Sequence, residues 1–155
     1  MILLDKFPTH IAYTNNVGRN KYIKVNNQNV YNGKLNRFAR SIAVDNLHKW
    51  VATKISCKPI KKYPVKIHYI FNVVYNHGAI SKRSDNIIWK PHKPGYKANW
   101  DLDNLFTLWM KVINDTLVEK SILKDDTVDY LNGVIVDIKF VKDLEDRSIL
   151  IKFIS

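Results

Sequence analysis

The sequence predicts an α+β fold: one domain over 1–155, with a mixed or antiparallel sheet and two main amphipathic helices. Three observations predict it. The stretches 35–55 and 104–119 repeat apolar residues at helical spacing. The stretches 65–75, 134–140 and 149–153 alternate apolar and polar residues, as half-buried strands do. Helical and strand patterns stand in separate runs, and 155 residues are enough for one domain with a real hydrophobic core.

The elements follow in order. The first twenty residues are polar and carry no period. Residues 22–25 and 28–31 flank Asn26-Asn27, which predicts a short hairpin, and Asn32-Gly33 predicts a turn. From 35 to 55, Leu35, Phe38, Ala39, Ile42, Ala43, Leu47, Trp50 and Val51 form an apolar stripe. Arg37, Arg40 and Lys49 lie off it, and Pro59 stops the helix. From 65 to 75, Val65, Ile67, Tyr69, Phe71, Val73 and Tyr75 share one strand face, while Lys66, His68, Asn72 and Asn76 share the other. Residues 76–100 predict a long loop with Gly78, Pro91, Pro94 and Gly95, and loops of this length are commonly functional.

In the second helix, 104–119, Leu105, Leu108, Trp109, Val112, Ile113, Thr116 and Leu117 mark the buried side. Phe106 and Met110 widen the apolar arc to about 200°. An arc that wide needs two packing partners: the sheet, and either a second subunit or another element of the same chain. Val134, Val136, Ile138 and Phe140, then a turn at 143–147, then Ile149, Ile151 and Phe153 predict a terminal hairpin.

Charge narrows the function. Lys and Arg total 25 against 14 acids, a formal net of +11. Residues 1–100 hold 18 basic and 3 acidic residues, whereas 101–129 hold 3 and 7. A basic body points to a polyanion, most simply nucleic acid. An acidic segment within it would repel that partner unless divalent metal neutralises it. No apolar run reaches the length of a membrane span, and the start is too short in apolar residues for a signal peptide, so a cytoplasmic protein without membrane contact is expected. The single Cys57 cannot form an internal disulfide, which agrees with a reducing compartment. His77 and His92 lack zinc-ligand spacing, no serine or cysteine has partners for a nucleophilic triad, and the five glycines form no phosphate-cradling loop. No small-molecule cofactor is expected.

Taken singly, Asp103 or Asn104 reads as a helix cap, and Asp125-Asp126 as turn acids. Taken together they read differently. Asp101 and Asp103 stand two apart, so an extended backbone points both side chains the same way. The helix carries the chain away, and a strand starting near Thr127 would return Asp126 beside the first pair. Three converging carboxylates repel one another unless metal-bound, and oxygen ligands without His or Cys favour Mg²⁺, with Mn²⁺ as the other candidate.

The elements Asp101-Leu102-Asp103-Asn104-Leu105, Lys111 through Asp115-Thr116-Leu117, and Leu123-Lys124-Asp125-Asp126 resemble the RusA family of Holliday junction resolvases. Pro64-Val65-Lys66-Ile67 is similar to the start of the family strand that leads to the first acidic pair. The resemblance covers roughly 64–76 and 101–130. It implies a RusA-like fold and a homodimer that cuts four-way DNA junctions with Mg²⁺. It also implies Asp101, Asp103 and Asp126 as essential carboxylates and metal ligands, and Lys111 as the essential lysine. Many such proteins are encoded by phages, so the implied setting is a bacterial or phage-infected cytoplasm. The chain departs from the pattern in three places. Lys111 stands about one helical turn further from the acidic pair. Trp100 with Lys90, Lys93 and Lys97 replaces a dense arginine run, and the 76–100 loop is longer.

That loop interleaves Lys82, Arg83, Trp89, Lys90, Lys93 and Lys97, the charge and rings that splayed DNA needs. The alternative is a solvated loop with its tryptophans folded onto the core. Lys58, Lys61, Lys62 and Lys66 form a second basic run, equally readable as phosphate contacts or as a solvated surface. Three functions follow: a metal-dependent endonuclease for branched DNA, a catalytically inactive branched-DNA-binding accessory protein in recombination, or a basic interaction protein whose acids are caps and turns.

Overall fold

In the computed structural model the first and last strands of the chain lie side by side, and the helices pack on one face of the sheet they share. The structure describes residues 1–8, 10–15, 17–25, 27–31, 35–74 and 102–155, with the backbone alone at 27, 28, 74, 102, 103 and 144. In chain order the elements are β1 Ile2–Asp5, β2 His10–Thr14, β3 Asn20–Lys24, α1 Asn27–Val30, α2 Arg37–Lys54, β4 Val65–Val74, α3 Leu102–Glu119, β5 Leu131–Val141 and β6 Ser148–Ile154, with a 3-10 turn at Leu144–Asp146 before the last strand. The class is α+β, as the sequence predicts.

The main sheet runs β1-β6-β4-β5, with β4 parallel to β5 and antiparallel to β6. The predicted terminal hairpin is therefore not formed: β5 and β6 flank β4 instead of pairing with each other. The reason lies in β4. Val65, Ile67, Tyr69, Phe71 and Val73 are buried on one face, and Ile70 is buried on the other. Such a strand belongs at the centre, and both C-terminal strands gain by lying beside it. His68 Nε2 meets Asp137 Oδ2 at 2.8 Å, tying β4 to β5 on the polar face.

The N-terminal region also differs from expectation. Its hairpin joins β2 to β3, earlier than predicted, and 27–30 is helical. Asn15 makes the turn: its Oδ1 accepts from the backbone N–H of Val17 and Arg19, and Gly18 takes the left-handed φ of +75° that favours glycine. β1 and β2 are only four and five residues long, too short to show a period, which is why they were not predicted.

Asn36 caps α2, its Oδ1 accepting from Ala39 N–H at 2.8 Å. The helix buries Ala39, Ala43, Leu47 and Val51, spaced four apart, while Phe38 is exposed. At its other end Lys120 Nζ donates to the carbonyls of Ala52 and Ile55 at 2.6 and 2.8 Å, a cation placed on the helix's orphan acceptors. Lys54 Nζ reaches Asp5 Oδ1 at 2.7 Å and holds the same end to β1.

α3 lies between the sheet and the other helices. Phe106 sets its ring edge-on to Tyr69 and Phe71, and Trp109 meets both Phe7 and Trp50. The helix also touches α1 and α2. The two partners demanded by its wide apolar arc are thus found within the chain. Deep in this layer the Tyr69 hydroxyl donates to Asn114 Oδ1. Burial pushes the phenol well above the ordinary tyrosine range.

Two predictions follow from this core. Tyr69→Phe leaves the buried Asn114 oxygen without its donor and should cost about 1–3 kcal/mol, read as a lower denaturation midpoint at unchanged m-value; an unchanged midpoint would show that the bond contributes nothing. His10 is the second case. Burial first, then Lys24 and Arg147, pushes its pKa down to about 4 from the ordinary 6.5. Between those values the unfolded chain binds more protons than the native one, so stability is highest above pH 6.5 and falls on acidification. Allowing for the ring's contact with water, the drop from pH 6.5 to 5 should be about 1 kcal/mol. His10→Gln should flatten it in thermal melts, and an identical slope in the variant would contradict the assignment.

Candidate functional site

The site is built around the exposed side of α3. Burial of Leu105, Leu108, Trp109, Val112, Ile113 and Leu117 forces Lys111 outward. Its ammonium pairs with Asp115 Oδ2 at 3.2 Å, one helical turn further on. Asp115, chiefly by hydrogen bonding and then by charge, lifts the Lys111 pKa above the ordinary lysine range; Tyr31 and Asp126 add smaller contributions of the same sign. Lys111 is therefore a fixed cation at neutral pH, and Asp126 lies within reach of its charge.

The end of α3 explains how Asp126 arrives there. The Ser121 N–H donates to Val118 O, and the Ile122 N–H to Leu117 O, the paired bonds of a Schellman cap. Ser121 takes φ +55° where glycine is the common choice. The cap reverses the chain, Ile122 and Leu123 are buried behind it, and the Asp125-Asp126 pair follows. The two acids then differ. Asp125 Oδ1 accepts the backbone N–H of Asp126 at 2.8 Å and is spent on the turn. Asp126 is exposed, and none of the ion pairs among the described residues engages it. A second turn, in which Thr127 O accepts from the N–H of Tyr130 and Leu131, delays the strand to Leu131. The predicted start near Thr127 is thus four residues early.

Of the other predicted residues, Asp103 lies in the first turn of α3 by its backbone. Asp101 and the loop residues Lys82, Arg83, Trp89, Lys90, Lys93 and Lys97 lie outside the described residues. Among the described residues, no group of three or more His, Cys, Asp or Glu is placed to hold a metal ion. Two of the three carboxylates in the proposed set, those of Asp101 and Asp103, are not among the described side chains. No helix among the described residues is long and apolar enough to cross a membrane.

The structure adds residues that the sequence did not single out. His48 on α2 faces Asp115, with Nε2 at 3.8 Å from Oδ2, and its Nδ1 lies 3.3 Å from Thr116 Oγ1. The guanidinium of Arg40 sits 5.8 Å from the centre of the Tyr31 ring, and Tyr31 is one of the groups that lift the Lys111 pKa. The four-residue spacing of Lys111 and Asp115 was a readable signal for that pair. No sequence signal links His48 to a residue 68 positions away. A shallow groove of about 300 Å³, lined by Ile60, Tyr63, Val118, Ser121, Leu123 and Lys124, lies at the far end of α3 and includes neither Lys111 nor Asp126.

Comparison with family models, with curated proteins and with solved structures finds no match to this chain.

Proposed function

We propose that this protein is a Mg²⁺-dependent, structure-selective DNA endonuclease that cuts four-way junctions or other branched DNA as a homodimer. The observation that carries the reading is the ordered set Asp101, Asp103, Lys111, Asp126, the RusA-like pattern, with Lys111 and Asp126 within reach of each other's charge across the α3 turn. The excess of 25 basic over 14 acidic residues supports a polyanionic substrate. The compartment that fits this substrate is the bacterial or phage-infected cytoplasm.

The donor chemistry fits a hard cation: carboxylate oxygens, with Asp126 exposed and outside every ion pair of the described residues. Asp101, Asp103 and Asp126 are the residues that would hold it. When bound, Mg²⁺ supplies a Lewis acid that lowers the pKa of water and offsets charge on the phosphate. The chain's own residues do the rest. Lys111, kept as an ammonium by Asp115, donates to a phosphate oxygen and stabilises charge; a lysine with a raised pKa is poorly suited to act as a base. Lysines and aromatics of 82–97 are assigned to the displaced strands. Two symmetric cuts need two copies related by a two-fold axis.

The test is cleavage of a labelled four-way junction, with linear duplex as control, in Mg²⁺ and in EDTA, by wild type and Asp103→Asn. Paired nicks near the crossover that need Mg²⁺ and drop at least 100-fold in the variant are expected, on the scale at which charge stabilisation contributes to catalysis. Tight junction binding with no cutting in Mg²⁺ or Mn²⁺ would overturn the enzyme and leave the accessory protein.

A further inference from the structure

The geometry points to Asp115 as the positioning residue of Lys111, holding its ammonium in place for the phosphate while His48 packs against the other side of the carboxylate. The inference rests on the endonuclease reading and adds to it a residue that acts through Lys111 without touching DNA.

One oxygen, Asp115 Oδ2, faces both Lys111 Nζ at 3.2 Å and His48 Nε2 at 3.8 Å. Of the two, only Lys111 is within hydrogen-bond distance of that oxygen. Thr116 Oγ1 donates its proton to Val112 O at 2.7 Å, so towards His48 it can only accept. His48 Nδ1, 3.3 Å from that oxygen, is therefore the donor of the pair. The ring covers one side of the carboxylate, and Lys111 takes its hydrogen bond. Thr116 is buried and α2 is packed on α3, so His48 is held by the fold.

Helix stability does not account for the pair. An acid four residues after a lysine is the weaker order of an i,i+4 pair, and an acid near a helix C-terminus opposes the macrodipole. The Lys111 side chain is 60% exposed, where ion pairs contribute little. What the arrangement does supply is direction. A free lysine samples many rotamers, whereas the pair favours those that keep Nζ at Asp115, with Asp126 within its electrostatic reach. Orientation of this kind matters greatly to rate and little to affinity.

The experiment compares wild type, Asp115→Asn, Asp115→Glu, Lys111→Gln and the double variant Lys111→Gln/Asp115→Asn. Each is assayed for single-turnover junction cleavage in Mg²⁺, junction affinity in Ca²⁺ and thermal midpoint. Asp115→Asn should cut about 10- to 100-fold more slowly at unchanged affinity and midpoint. Asp115→Glu should restore most of the rate, and Asp115→Asn should cost nothing further once Lys111 is Gln. A wild-type rate for Asp115→Asn overturns the inference while the nuclease stands. So does a loss that Glu does not restore, or one that persists undiminished in the double variant. If wild type itself fails to cut, the endonuclease reading fails, and this inference fails with it.

Discussion

Burial of α3 between β4 and the other helices is the constraint on which the rest of the structure depends. Phe106 and Trp109 join the rings of Phe7, Trp50, Tyr69 and Phe71 in one aromatic layer. Burying side chains of this size stabilises by roughly 2–3 kcal/mol each. No surface ion pair competes with that, so the rotation of α3 is set by its apolar side. Once the rotation is set, the exposed side must carry Lys111 and Asp115, and the helix end must deliver the chain to Asp125 and Asp126. Packing thus fixes the site, and the site's own charges contribute little to holding it.

Charge then acts within this frame. The acids of 101–129 stand in a chain with a formal net charge of +11, and a bare carboxylate cluster there would oppose DNA. The structure handles its described acids in different ways. Asp115 is committed to Lys111, Asp125 to its turn, Asp5 to Lys54 and Asp137 to His68. Asp126 has no such commitment among the ion pairs of the described residues. Its charge still reaches the Lys111 ammonium, and it stands in the turn that follows α3.

Much of this was legible in the sequence because long periodic segments report their own burial. The stripe of α3 and the alternation of β4 predicted both elements to within a few residues. Strand order was not legible, since period-two patterns in β5 and β6 say which face is buried and nothing about which neighbour is taken. The Schellman cap at Ser121 was hidden because serine stands where glycine would have announced it. Phe38 entered the predicted stripe on spacing alone, yet the close-packed line of Ala39, Ala43, Leu47 and Val51 turns it outward. For the proposed site, the acids and Lys111 come from order and spacing in the sequence. His48 was not, because its contact with α3 exists only once two helices have packed.

Whether Asp101, Asp103 and Asp126 bind metal together, as proposed, is read most directly from the amide spectrum of the ¹⁵N-labelled protein during Mn²⁺ addition. Amides at 101–104 and 125–127 are expected to broaden together at substoichiometric Mn²⁺, and Asp103→Asn to abolish the effect. Broadening first at the other acid-rich turn, Asp143, Glu145 and Asp146, or uniformly across the chain, would contradict it.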